Sequence, residues 1–196
     1  MSEGGAADDP LALIAAELRA EGGLLAAAVV DPAPDADRAV GERVAHGPRA
    51  TVVGVDLAVA AEATREAELL HHAPERARIV RTADRDLALL AGDRLLALGL
   101  RRLAAGGWVD EVAILADVVA VVARLHAPEA WRLGAAHHGG TGHPDAAAAR
   151  GARLWEAATT ALATGPASPE AALLRAVRDG VVAPDLARSH ADPAGS

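Results

Sequence analysis

Segment after segment of this chain places its apolar residues at helical spacing, and no stretch alternates clearly as a half-buried strand would. Alanine supplies about a quarter of all positions, Leu is abundant, and both are strong helix formers. Phe and Tyr are absent, and Val is concentrated in a few stretches. An all-β fold is therefore excluded. A core of such small side chains requires helices to approach one another closely. Hydrophobic residues make up 52% and charged residues 23% of the 196, ample for a packed core and incompatible with wholesale disorder.

Helix punctuation divides the chain. Asp9-Pro10 is an N-cap followed by proline at the first helical position, opening a helix that stops at Gly22-Gly23. LLAAAVV (24–30) is ambiguous between strand and helix. PAPDAD (32–37) breaks the chain, and a helix over about 35–46 ends at His46-Gly47-Pro48. The segment 49–73 is apolar on nearly every side at first, apart from Asp56. It then turns amphipathic, with Glu62, Arg65, Glu66 and Glu68 on its polar face. Thr82 or Asp84 caps a helix closed by Gly106-Gly107. Residues 108–127 form another long helix, with Asp110, Asp117 and Arg124 along one stripe. Shorter helices are expected over 128–138, from Pro144 to about Ala163, and from the box-like start SPEA (168–171) to Gly180. The expectation is an all-α multi-helix bundle: one domain over 1–182 and a frayed tail over 183–196.

Composition also bounds function. Without Cys there are no disulfides, thiolate metal sites or Cys nucleophiles. A net charge of −8 with only three aromatic residues, all Trp, argues against nucleic-acid binding. Asp110, Glu111, Asp117 and Arg124 argue against a membrane span at 108–127. The acidic start, MSEGGAADDP, has no signal-peptide pattern, so a cytoplasmic location is expected. The Ala/Arg bias without any Lys suggests a bacterial, GC-rich source. The apolar girth of helices 50–61 and 108–125 suggests cover by a second subunit, hence a homo- or hetero-oligomer.

AELLHHA (67–73) followed by LALLAGDRLLALGLRRLA (87–104) resembles the trans-isoprenyl diphosphate synthases, the polyprenyl synthetase family. In that family an E-L-x-H helix runs into the first DDxxD motif, and the next helix carries L-x-G-D-x-L-L-A. Residues 90–97 fit that second pattern, with Arg94 in place of an aromatic. His46-Gly47-Pro48-Arg49 falls where the family has its diphosphate-binding Gly-Lys-Arg loop. The resemblance covers about residues 45–125 and implies a truncated isoprenoid-synthase-like bundle.

Both DDxxD motifs are missing. After His72 the chain reads APERARIVRTADRD, shorter than the family's link. The family's leaving pyrophosphate is stabilised by Mg²⁺ on carboxylates, so the resemblance implies a shortened, non-catalytic member, acting as a small or regulatory subunit with a full-length prenyl diphosphate synthase. Two alternatives stand beside it. One is an active Mg²⁺-dependent enzyme on a prenyl or other diphosphate, using a reduced metal site of Asp86 and Asp93, which share a helix face. The other is a helical interaction module without a ligand. Arg76, Arg78 and Arg81, with Arg49, are the candidate diphosphate ligands, since guanidinium forks beside a helix start suit phosphate. The cluster His137, His138 and His143 in HHGGTGH is an alternative metal site, three imidazoles being a possible zinc set. No catalytic residue and no resident cofactor are assigned.

Overall fold

A computed structural model describes residues 9–127 and 144–182, with the side chains of 144–148 excepted. Among these residues the chain is all-helical: α1 (Pro10–Glu21), α2 (Gly23–Ala28), α3 (Ala39–Ala45), α4 (Ala50–Val53), α5 (Val55–His72), α6 (Arg85–Ala105), α7 (Val109–His126), α8 (Pro144–Thr164) and α9 (Pro169–Arg178), with a 3₁₀ turn at Pro74–Arg76. The helices form a bundle around α5. No helix among the described residues is long and apolar enough to cross a membrane.

Several boundaries follow the expected chemistry. Asp9 Oδ1 accepts from Leu11 N at 3.0 Å, Asp84 Oδ1 from Asp86 N at 2.9 Å, and Ser168 Oγ from Ala171 N at 3.2 Å. Each satisfies a donor that a helix start otherwise leaves unpaired. The expected long segment 49–73 is instead two helices meeting at Gly54, whose φ of +78° only glycine adopts without strain. LLAAAVV resolves into both of its alternatives. Residues through Ala28 are helical, and Val29 then forms an isolated antiparallel bridge with Val80, flanked by Val30 N donating to Ile79 O and Arg81 N to Ala28 O, each at 2.9 Å. The helix expected over 128–138 lies outside the described residues.

Two hydrophobic clusters fill the bundle, and α5 belongs to both. One joins α1 to a face of α5 (Val59, Ala63, Ala67, Leu70), the segment Ala77–Val80, and α6. The other joins α3 and the opposite face of α5 (Leu57, Ala58, Ala60, Ala61) to α7, α8 and α9. α5 and α6 pack most intimately. A Cβ added to Gly99 would lie 3.1 Å from Ala60 O, showing how small residues draw the two backbones together.

The apolar girth of α5 and α7 is covered largely within the chain. Leu57 and Val59–Ala61 are fully buried, and Ile114, Leu115, Val118, Val121 and Val122 are buried toward α8 and α9. Exposed apolar side chains remain at Val52, Val55 and Val109, and at Leu24, Leu89 and Leu90. The expected polar stripe of α7 is also mostly internal. Asp117 is 3% exposed and pairs with Arg178, and Arg124 Nη1 donates to Val177 O at 2.7 Å, both docking α9.

Candidate functional site

The unusual chemistry of this fold lies along α5, which carries Glu62, Glu66 and Glu68 into the core at 0%, 0% and 8% exposure. The sequence placed these residues on a solvent-facing polar stripe. The structure corrects that, because each carboxylate finds buried donors. Burying a carboxylate unpaired costs far more than a helix of this size gains from packing.

Glu62 and Glu66, four residues apart, lie on one face of the helix. Arg78 enters between them: Nη1 donates to Glu62 Oε2 at 2.6 Å and Nε to Glu66 Oε2 at 2.9 Å. Glu66 Oε1 also accepts from the backbone amides of Arg78 (2.6 Å) and Ile79 (2.9 Å), and Glu62 Oε1 from Gly41 N at 2.6 Å. That last contact needs glycine: a Cβ at position 41 would sit 2.8 Å from Glu62 Cγ. Burial is the largest influence on Glu62 and pushes its carboxyl above the ordinary value, more than Arg78 and the Gly41 amide pull it down. Burial opposes the charge on Arg78, but the two carboxylates outweigh it and raise the guanidinium's pKa.

One turn on, Glu68 gathers a different set. Trp155 Nε1 of α8 donates to Oε2 at 2.6 Å, Arg65 pairs with the same oxygen, and His126 Nε2 of α7 lies 3.1 Å from Oε1. Burial works against the charge on Glu68, but His126, Arg65 and Trp155 together hold its carboxyl below the usual value. The ring of His126 stacks on His72, with centroids 3.7 Å apart and planes within 7°. Burial first, and then His126, push His72 down to about 4.

The string that resembles E-L-x-H and G-D is a joint between α5 and α6. His71 lies over Gly92 so closely that a Cβ there would come within 2.3 Å of Nε2. The same Nε2 is 3.2 Å from Leu89 O and 3.4 Å from Asp93 Oδ1. Arg85 donates to the terminal carbonyls of α5, Leu70 O at 3.0 Å and His71 O.

The candidate ligands separate accordingly. Arg78 belongs to the buried triad. Arg49 reaches Glu111 on α7, with Nε 2.7 Å from Oε1, and Glu111 is 1% exposed. Arg76 and Arg81 remain exposed on the link between α5 and α6, and Arg81 Nη1 donates to Glu75 O at 3.1 Å. Asp86 is exposed in the first turn of α6, and Asp93 lies two turns on, beside His71. Among the described residues, no group of three or more His, Asp or Glu side chains is placed to hold a metal ion. His137, His138 and His143 lie outside the described residues.

What sequence reasoning missed is the Glu62–Arg78–Glu66 triad and the Glu68–His126–Trp155 hub. A signal was present: three glutamates on the most apolar helix of the chain, with Arg78 in a link between flanking helices. No family model matches the chain, and neither a curated protein nor a solved structure matches it significantly.

Proposed function

We propose that the chain is a non-catalytic helical protein built on an isoprenyl-synthase-like helix pair, acting as a small or regulatory subunit of a full-length, metal-binding prenyl diphosphate synthase. The observation that carries this is the internal use of its charge. Arg78 closes onto Glu62 and Glu66, and Arg49 onto Glu111, so two of the four arginines suited to a diphosphate are structural ion-pair partners. The space between α5, α6 and α7 supports the same reading. It measures about 80 Å³, whereas an apolar cavity of about 150 Å³ is the scale that admits one benzene. An allylic chain of ten or more carbons needs more room than that. Exposed Leu89 and Leu90, beside the His71–Gly92 joint, offer α6 an apolar surface for a partner.

The test is condensation of isopentenyl diphosphate with an allylic diphosphate at millimolar Mg²⁺, run with the chain alone and with a full-length synthase added. The expected result is no turnover alone, and changed rate or product length in the mixture. Turnover by the chain alone, lost on Asp93→Ala, would replace this proposal with the reduced-metal enzyme. Failure to associate with or alter any full-length synthase would remove the subunit role.

A further inference from the structure

A cleft of about 480 Å³ opens between the start of α1, α3 and the elbow joining α4 to α5. Its size falls within the range of small-molecule sites, about 300–1,000 Å³. The hollow exists because its walls carry small side chains: Ala45, Ala50, Ala58 and Gly54, with Pro10 and the 43%-exposed Val55 beside them. Nothing in the synthase-like reading uses this cleft.

Hydrogen-bonding capacity around the cleft is lopsided. The one guanidinium in its wall, Arg38, is already saturated. Nε and Nη2 hold Asp9 Oδ2 at 3.1 and 3.0 Å, and Nη1 faces the carbonyl oxygens of Ala33, Pro34 and Ala36. His46 Nδ1 lies 2.6 Å from Glu42 O. A carbonyl only accepts, so Nδ1 carries the ring proton and Nε2 is left as an acceptor. The Glu42 carboxylate, on the exposed side of α3, forms no ion pair with a described residue. Apolar walls therefore lead to a rim of acceptors with no spare donor.

We infer that this cleft binds a small hydrophobic amine in its protonated form, with the apolar body against Ala45, Ala50, Val55 and Ala58, and the ammonium on Glu42 and His46 Nε2. An exposed ion pair contributes little by itself, so burial of the apolar body supplies most of the affinity and the ammonium selects the class. Anions meet carboxylates here and no available cation. Neutral isosteres keep the burial and lose the charge-assisted hydrogen bonds.

The experiment is an amide chemical-shift titration of the ¹⁵N-labelled full chain with cyclohexylmethylamine, cyclohexylmethanol and cyclohexanecarboxylate. Saturable shifts at Gly41, Gly54 and Val55 are expected with the amine, at a Kd of about 0.1–1 mM. The alcohol should bind about fivefold more weakly, and the carboxylate more weakly still. Glu42→Gln should weaken the amine to the level of the alcohol and leave the alcohol unchanged. Ala45→Leu, at an exposed position of α3, should fill the hollow and remove binding of all three, with unchanged spectra elsewhere as the check on folding. No saturable shift, a carboxylate that binds as tightly as the amine, or an amine affinity indifferent to Glu42→Gln would each overturn the inference. None of these outcomes depends on prenyl condensation, so this proposal and the subunit reading stand or fall separately.

Discussion

Two carboxylate anchors sit one turn apart on α5 and are built from opposite materials. The Glu62–Glu66 anchor is closed by an arginine and three backbone amides. The Glu68 anchor is closed by a tryptophan, an arginine and a histidine whose ring stacks on a second histidine. Guanidinium stays charged at any pH a folded protein meets, whereas imidazole titrates within the working range. The first anchor therefore fixes the link between α5 and α6 permanently against the helix. The second ties α7 and α8 to α5 in a way that acid can loosen.

The largest expected effect breaks the first anchor. Arg78→Met leaves two buried carboxylates without their counter-ion and should destabilise the fold by about 3–5 kcal/mol, read as a fall in the denaturant midpoint. A loss under 1 kcal/mol would mean that the triad is open to water. Glu68→Gln should cost less, about 1–3 kcal/mol, since Trp155 Nε1 keeps an amide oxygen to bond. Trp155 fluorescence should shift at the same denaturant concentration as the helical signal. Gly92→Ala should cost about 1–3 kcal/mol through crowding at His71. Restoration by adding His71→Ala would show that the ring is the obstacle.

Acid should separate the anchors with opposite signs. His72 titrates near 4 in the folded chain, against about 6.5 unfolded. Between those values the unfolded chain takes up a proton that the folded one refuses, so stability falls as pH drops from 6.5 toward 4. Glu68, with its folded value lowered, adds to that loss below about 4.5. Glu62, with its value raised, acts the other way: its contribution is greatest below about 4.5 and declines as pH climbs through its folded value. The smallest predicted effect is that of His72→Gln, nearly silent at pH 7. It should flatten the stability profile between pH 6.5 and 4. An unchanged slope would place the acid response elsewhere.

The fold was legible in the sequence to the extent that caps and period carried it. Asp9-Pro10, Asp84 and Ser168 begin helices because their side chains satisfy local amides, which is information held within four residues. The break at Gly54 was hidden, because a glycine inside an apolar helical run gives no sign of taking a positive φ. The anchors were hidden for a different reason. Glu62, Glu66 and Glu68 are indistinguishable from a solvated stripe until Arg78, His126 and Trp155 are known to converge on them, across separations of 12 to 87 residues. Arg78 and Arg49 suited phosphate by residue type, and in the fold those forks are turned onto carboxylates of the same chain. Asp93, in contrast, is beside His71 because the spacing between E-L-L-H and G-D already encodes the pairing of α5 with α6.

The membership of α5 in both hydrophobic clusters has a consequence for how the molecule comes apart. A chain of this size could have been assembled from two halves meeting at a seam, each able to open while the other held. Here the element that would lie at such a seam is the core of both halves. Opening either one strips a face of α5 and exposes buried carboxylates along with it. Hydrogen exchange should therefore find the amides of α1, α6, α7 and α8 protected to a similar free energy, with the whole bundle breathing as one cooperative unit.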